Sequence, residues 1–476
     1  MKTLLWLRDD LRLQDNPALA AAAAAGEIAV VYLLDEESPG IRPLGGAARW
    51  WLHHSLESLA TTLAEAGGSL ILRRGRAAEA IPGLAREIGA EAVFWNRRYG
   101  GAERQVDAQL KSALRTAGLQ VASFQANLLF EPWTMQTGTG GHYKVFTPFW
   151  RACREAAEPR PPVAEPGRIR GISAAGDELA AWQLLPRNPD WASEFSGIWT
   201  PGEPGAQRRL AEFLDRNAQA YAVGRDEPGL EATSRLSPHL RFGELSPFQI
   251  WSALQGSPGI AAEDERTFRS EVGWREFCWH LLYHHPDLAD RNYRSDFDAF
   301  AWQPASDAEL AAWQQGNTGY PLVDAGMRQL WQTGWMHNRV RMVVASFLVK
   351  NLLIDWRAGE QWFWDTLVDA DAASNPANWQ WVAGSGADAA PYFRVFNPVT
   401  QSKKFDADGK YLRSFLPELA GLPAPVIHEP WKHPTALDEM PLDYPEPLVE
   451  LGPSRQRALD AYARLRDGNV PGAAPS

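Results

Sequence analysis

The chain has 476 residues, of which 45% are hydrophobic and 22% charged, a globular composition that excludes a disordered or fibrous protein. Its 47 Lys and Arg against 58 Asp and Glu leave a formal net charge of −11, so only a locally basic groove, not the whole surface, would attract nucleic acid. Two cysteines, Cys153 and Cys278, cannot build a disulfide framework, the start MKTLLWLRDDLRLQDN lacks a signal peptide, and no run reaches ~18 apolar residues; a soluble, cytoplasmic protein without membrane contact is expected.

At ~150 residues per domain the length suggests about three domains or two larger ones. In the first part, 3–8 (TLLWLR), 28–34, 69–75, 90–96 and 119–125 read as buried parallel strands, with helical stretches such as 47–66 and 102–117 between them. That alternation predicts an α/β domain with a doubly wound parallel sheet over residues 1–130. After the first strand comes RDDLRLQDN instead of a Gly-rich turn, and Gly138, Gly140 and Gly141 read as a loop, which argues against an NAD-type site. Residues 131–200 are rich in Pro, Gly and Ala and read as an inter-domain linker. From 201 to 476 the strand signal disappears, and helical periodicity over 205–220, 264–284, 307–334, 336–354 and 358–370 predicts a larger, mainly α-helical domain. The tail DGNVPGAAPS is expected to be irregular.

One count stands out: 22 Trp against 19 Phe and 11 Tyr, where Leu or Phe would serve bulk packing. Most indoles are expected in the core, but the excess raises stacking and electron transfer as functions. Four stretches then carry chemistry. Thr233, Ser234 and Ser237 sit where a helix should begin, and free N–H groups with hydroxyls there suit a pyrophosphate. Glu271, Trp274, Arg275 and Cys278 share one helix face by three-and-four spacing. Asn338, Arg341, Met342 and Ala345 fall on one face of another helix. Asp369, Asp371 and Asn375 are placed in a loop before Trp379 and Trp381; without further His or Glu at ligand spacing, no metal is expected there.

Together these stretches, with WLRDDLRLQDNPAL at the start and HEPWK and DYPEPLV near the end, resemble the DNA photolyase/cryptochrome family, in particular bacterial class I cyclobutane pyrimidine dimer photolyases. The resemblance implies a U-shaped FAD, working as FADH⁻, held by Tyr221, Thr233, Ser234, Arg235, Leu236 and Ser237, with Arg275 nearby. Asp369 and Asp371 would meet the cofactor, Asp369 pairing with Arg341, and Asn375 would lie beside flavin N5, where some signalling cryptochromes carry Asp or Cys. It implies a flipped-out pyrimidine dimer between Trp274 and Trp381, Glu271 on the dimer's carbonyl edge, and Asn338 and Met342 as the floor. Relatives that repair (6-4) photoproducts place two His at those last positions. Arg225, Arg339, Arg394, Lys403 and Lys404 become phosphate contacts to damaged DNA, single- or double-stranded. Trp379, Trp356 and Trp302 match the family's electron-transfer chain, with one extra residue between Trp302 and Trp313. Glu103 matches an antenna contact to folate. Ala102 before it and Asp290 depart from the folate pattern, which argues against methenyltetrahydrofolate and leaves a deazaflavin, another flavin or an empty site. The expected activity is deoxyribodipyrimidine photo-lyase, acting as a monomer. The alternatives are a cryptochrome-like blue-light photoreceptor, disfavoured by the short stretch of 25 residues after DYPEPLVEL, and a plain flavin electron carrier, which leaves Trp274, Trp381 and Glu271 without a task.

Overall fold

Five runs of β-branched, aromatic and Leu residues form the strands β1 (Lys2–Leu7), β2 (Glu27–Leu34), β3 (Leu70–Arg74), β4 (Ala92–Asn96) and β5 (Gln120–Phe124), each within two residues of its predicted run. This computed structural model describes every residue except 258, 305, 389–392, 434–443 and 468–476, so the irregular-tail expectation lies almost wholly outside the described residues. All the strand pairs are parallel, in the order β3-β2-β1-β4-β5. Parallel neighbours require crossovers, supplied here by α1 (Pro17–Ala25), α2 (Gly46–Glu65), α3 (Ala77–Ile88) and α4 (Gly101–Thr116). Leu4, Trp6, Val31, Val93 and Trp95 of the sheet are buried with Ile81, Leu84, Leu110 and Leu114 of the helices.

The strand order reverses between β1 and β4, the place where open parallel sheets bind ligands. Here charged side chains pair with one another at that point. Arg8 lies 4.2 Å over the Trp6 ring and 3.4 Å from Asp107, Arg98 bonds Asp107 at 2.6 Å, and Asn96 donates to Asp10 at 2.6 Å. The loop after β1 carries Arg8, Asp9 and Asp10, whereas the loop after β4 ends in Gly100, the N-cap of α4.

The Pro- and Gly-rich stretch after residue 130 is less bare than its composition suggests. It contains α5 (Phe146–Glu155), whose Phe146, Phe149, Trp150 and Cys153 are buried at helical spacing, and a two-residue strand, β6 (Arg170–Gly171), that pairs with β2. Beyond it the described elements are helical: α6 (Glu203–Glu212), α7 (Tyr221–Gly224), α8 (Ser237–Arg241), α9 (Pro247–Gln255), α10 (Ala262–His284), α11 (Asp307–Gln315), α12 (Pro321–Thr333), α13 (Asn338–Ser346), α14 (Trp356–Thr366), α15 (Ser374–Ala383), α16 (Pro398–Phe405), α17 (Lys410–Phe415), α18 (Ala424–Ile427) and α19 (Leu451–Arg466). The 307–334 periodicity is interrupted because Gly316, at φ +67°, caps α11 and Pro321 opens α12. α13 runs on into a π-helical turn over Phe347–Asn351.

Packing divides the chain into two compact units. The first comprises Met1–Gln219, Ser234–Pro286 and Val368–Ala373; the second comprises Ala220–Thr233, Asp287–Leu367 and the described residues from Ser374 onward. In the second, Phe297, Phe300, Leu353, Phe393, Ala458 and Ala461 form a core against which Trp302 packs. Among the described residues no helix is long and apolar enough to cross a membrane.

Candidate functional site

In the first unit two segments distant in sequence are tied together at α8. Ser237, its first residue, donates from Oγ to Asp369 Oδ2 at 2.6 Å. Arg241, its last, donates from Nε to the Ala370 carbonyl at 2.9 Å and pairs with Asp9 at 2.8 Å. Arg235 stands at φ +52°, a left-handed conformation that a side chain rarely adopts, and turns the 233–237 loop before α8 begins. Thr233 and Ser234 thus precede the helix, which opens only at Ser237. The Ser234 carbonyl accepts from Arg209 Nε at 2.9 Å, Leu236 is buried, and Asp371 Oδ1 accepts from the Ala373 N–H at 2.8 Å. Hydroxyl and backbone donors suit the phosphates of a dinucleotide, and the buried carboxylates beside them can accept from its sugar hydroxyls.

On α10, Trp274 lies flat on Phe146, with ring centroids 3.8 Å apart and planes 9° apart. Glu271 is half-buried on the same helix. Arg275 donates to the Asn127 carbonyl at 2.8 Å and lies 3.5 Å from Glu276. Burial pushes the Glu276 carboxyl up to about 7, against the lowering effect of Arg275 and the N–H groups of Leu129 and Phe130. Glu103, in the first turn of α4, lines a cavity with Asp9, Arg98, Tyr99, Arg275 and Asp371, so the expected antenna residue and two expected cofactor residues face one space.

In the second unit Asn375 is in the first turn of α15 and not in a loop, a correction to the sequence reading. Its Nδ2 donates twice to Glu360, at 3.0 Å to the carbonyl and 2.9 Å to the carboxylate. Both amide hydrogens are thereby used, and the group left to a ligand is the Oδ1 acceptor. That fits the N–H of a reduced flavin. One turn further along α15, Trp379 is 3% exposed and packs edge-on against Phe363 at 5.0 Å and Trp313 at 6.2 Å. Gly359 of α14 makes room for it: a Cβ there would lie 2.1 Å from the indole. Trp381 donates from Nε1 to the Asp388 carbonyl at 3.0 Å. Trp356 opens α14, fully buried, with Nε1 on Asn292 Oδ1 at 2.9 Å, and half-buried Trp302 leans on Phe300 at 4.4 Å.

Asn338 and Met342 lie one turn apart on α13, whose N-cap is His337: its Nδ1 accepts from the Arg339 N–H at 3.2 Å. Arg341 donates to the Met336 carbonyl at 2.7 Å. Of the expected phosphate contacts, Arg339 pairs with Asp226 at 2.7 Å and covers the Phe405 ring, Lys403 pairs with Glu429, and Arg225 lies 5.6 Å over the Tyr221 ring. Lys404 stands 4.9 Å over Phe405, and Arg394 lies 5.9 Å over Phe396. Among the described residues, ligating side chains converge closely enough for an ion at His53, His54 and Glu57 of α2. Sequence reasoning missed Arg241, Glu360 and Gly359; the RFGE that begins at the last residue of α8 and the AGE of α14 were the visible signals, and neither names its partner.

Residues 3–167 match the family described as DNA photolyase, and residues 268–464 match the FAD binding domain of DNA photolyase. A deoxyribodipyrimidine photo-lyase of Agrobacterium fabrum is 52% identical across 97% of this chain and 98% of its own. The chain belongs to the DNA photolyase/cryptochrome family. Cryptochrome-2 of Arabidopsis thaliana is also similar, 36% identical over 100% of this chain and 81% of its own length. Among solved structures, a bacterial class III photolyase from Agrobacterium tumefaciens superposes with a TM-score of 0.95 at 51% identity, covering 98% of both chains. The sequence reading leaned towards class I; this photolyase structure belongs to class III. FAD is the cofactor of the matched helical domain.

Proposed function

We propose that the protein repairs cyclobutane pyrimidine dimers in DNA, using light and a reduced FAD. The observation that carries this reading is the amide of Asn375, turned by Glu360 so that only its carbonyl is offered. An acceptor there favours the reduced, N–H-bearing flavin over the oxidised one without adding a charge. When bound, reduced FAD supplies the light-driven electron that opens the cyclobutane ring and takes it back, with no net redox change.

The chain's residues bind and orient. Ser237, Asp369 and Asp371 hold the cofactor's polar part, with Arg241 fixing the two segments that carry them. Trp274 and Trp381 offer aromatic faces to the extruded dimer, Glu271 bonds its carbonyl edge, and Arg339, Lys403 and their neighbours contact phosphates. Trp379, Trp356 and Trp302 run from full burial to partial exposure, the sequence of environments that an electron path to the surface needs.

Lesion choice follows from α13. Undoing a (6-4) product requires a proton donor near neutral pH, for which His is suited. Asn338 and Met342 cannot serve. His337 is 2% exposed, already accepts a backbone N–H, and is pushed down to about 4 by burial and then by Arg339 and Arg341, against Asp226, so it is neutral at pH 7. Dimers should therefore be repaired and (6-4) products should not. The test illuminates the reduced holoprotein with oligothymidine carrying each lesion and follows absorbance at 260 nm and chromatography of the product. Restored dimer alone supports the reading; no light-dependent restoration would favour the photoreceptor alternative, and repair of the (6-4) substrate would refute the assignment of Asn338 and Met342.

A further inference from the structure

The contact beneath Trp274 extends beyond one ring. Phe146 and Trp150 are four residues apart on α5, so they stand on one helix face, and their rings are near-parallel, 6.3 Å apart with planes at 12°. Phe146 in turn is nearly parallel to Trp274. Three flat rings thus follow one another: Trp150, Phe146, Trp274. Phe277 meets both Phe146 and Trp274 edge-on, at 6.0 Å and 5.9 Å, and blocks sideways slip. Gly273, the residue before Trp274, completes the support: a Cβ there would fall 2.6 to 2.9 Å from three atoms of the Trp150 indole. A glycine in mid-helix costs helix stability, and here it allows an indole to lie on the backbone of α10. Phe146 and Trp150 are 8% and 7% exposed, whereas Trp274 is half-buried.

We infer that Phe146, backed by Trp150, is a positioning residue for lesion recognition: it holds one face of Trp274 so that the other meets the pyrimidine dimer at a fixed angle. The inference rests on the reading that Trp274 stacks on the lesion. An indole free to turn would have to be immobilised on binding, and that entropic cost would be charged against damaged DNA only. A flat ring is needed beneath it because offset stacking fixes orientation, which an aliphatic side chain of similar volume cannot do.

The test measures affinities of the FAD-loaded protein, in the dark, for a duplex with one thymine dimer and for its undamaged counterpart. Phe146→Leu should weaken dimer binding about three- to tenfold, the range of an aromatic pair, with flavin content and affinity for undamaged DNA unchanged. Phe146→Tyr, which keeps the ring, should restore discrimination. Phe146→Met accompanies the Leu variant, so that a failure of one to fold leaves the measurement intact. Trp274→Ala separates the two claims. If it loses discrimination while Phe146→Leu and Phe146→Met keep it, the inference is overturned and the reading of Trp274 stands. If Trp274→Ala itself discriminates normally, that reading fails and the inference with it. Equal loss for damaged and undamaged DNA would mark Phe146 as merely structural, and tighter dimer binding would show that it occupies the face the lesion needs; either overturns the proposal.

Discussion

Replacing Glu276 by Gln tests whether burial or ion pairing governs the carboxyl next to Arg275. Glu276 is 2% exposed; its Oε2 accepts from the Phe130 N–H at 3.2 Å, and its other oxygen lies 3.5 Å from Arg275. Burial raises it from an ordinary 4.5 to about 7. Below pH 4.5 it is protonated both folded and unfolded and contributes no pH dependence. Between 4.5 and 7 the folded protein keeps a proton that the unfolded chain releases, so stability falls as pH rises through that window and levels off above it. At 1.36 kcal/mol per pH unit, the loss is at most about 3 kcal/mol. Gln has the same shape and never ionises, so Glu276→Gln should lose this slope and gain up to about 3 kcal/mol on wild type between pH 5 and pH 8. Denaturant unfolding of both holoproteins at the two pH values measures it. The difference between them cancels other carboxyls such as Glu203, which burial also pushes up to about 7. A difference that is independent of pH, or that favours wild type at pH 8, would refute the reasoning and show Glu276 ionised and held by Arg275.

Two further outcomes follow from individual contacts. Arg339→Ala removes the guanidinium that pairs with Asp226 at 2.7 Å; DNA binding should weaken, and the slope of log affinity against log salt should flatten by about 0.9, one phosphate contact, whereas an unchanged slope would remove Arg339 from the interface. Ser237→Ala leaves Asp369 without its 2.6 Å donor and should weaken FAD retention by about 1.5–3 kcal/mol, read as a shift in the midpoint of flavin release during denaturation; unaltered release would detach Ser237 from the cofactor.

The strands were legible because buried parallel strands are continuous apolar runs, and β1, β2 and β4 consist almost wholly of such residues. α5 was hidden by its surroundings: Gly-rich residues precede it and PRPP follows, so composition masked one ten-residue amphipathic stretch. Asn375 was misplaced because Asn-Pro ordinarily signals a turn, yet Pro376 falls in the first turn of α15, where a helix does not require its N–H. The identities of the site residues were legible through the resemblance; their partners were not. That Ser234–Pro286 and Val368–Ala373 return to the first unit, or that Glu360 orients an amide fifteen residues on, depends on how helices fold back, and no periodicity encodes it.

The tryptophans illustrate the same limit and yield a last prediction. Trp6, Trp51, Trp95, Trp313 and Trp356 are among the largest fully buried side chains, so much of the excess is core. Where an indole N–H points decides where an oxidised ring can lose its proton. Trp379 Nε1 is buried and has no hydrogen-bond partner among the described residues, and Trp356 Nε1 is spent on the neutral amide of Asn292. Neither N–H meets a base. In the electron-transfer role proposed for them, an oxidised Trp379 or Trp356 keeps its proton and must take its electron from a further ring, and half-buried Trp302 is the member within reach of water as a proton acceptor. Trp379→Phe should therefore abolish light-driven reduction of oxidised flavin by a thiol at the first step. Trp302→Phe should instead allow charge to leave the flavin and return, leaving a flash-induced signal that decays without net reduction and without a solvent isotope effect. In wild type the slow phase should lengthen in D₂O, because it ends in proton loss at Trp302. With flavin reduced chemically beforehand, dimer repair should survive in both variants. A Trp302→Phe protein that photoreduces normally, with an isotope effect unchanged from wild type, would show that the proton leaves elsewhere and that this exit is wrongly assigned.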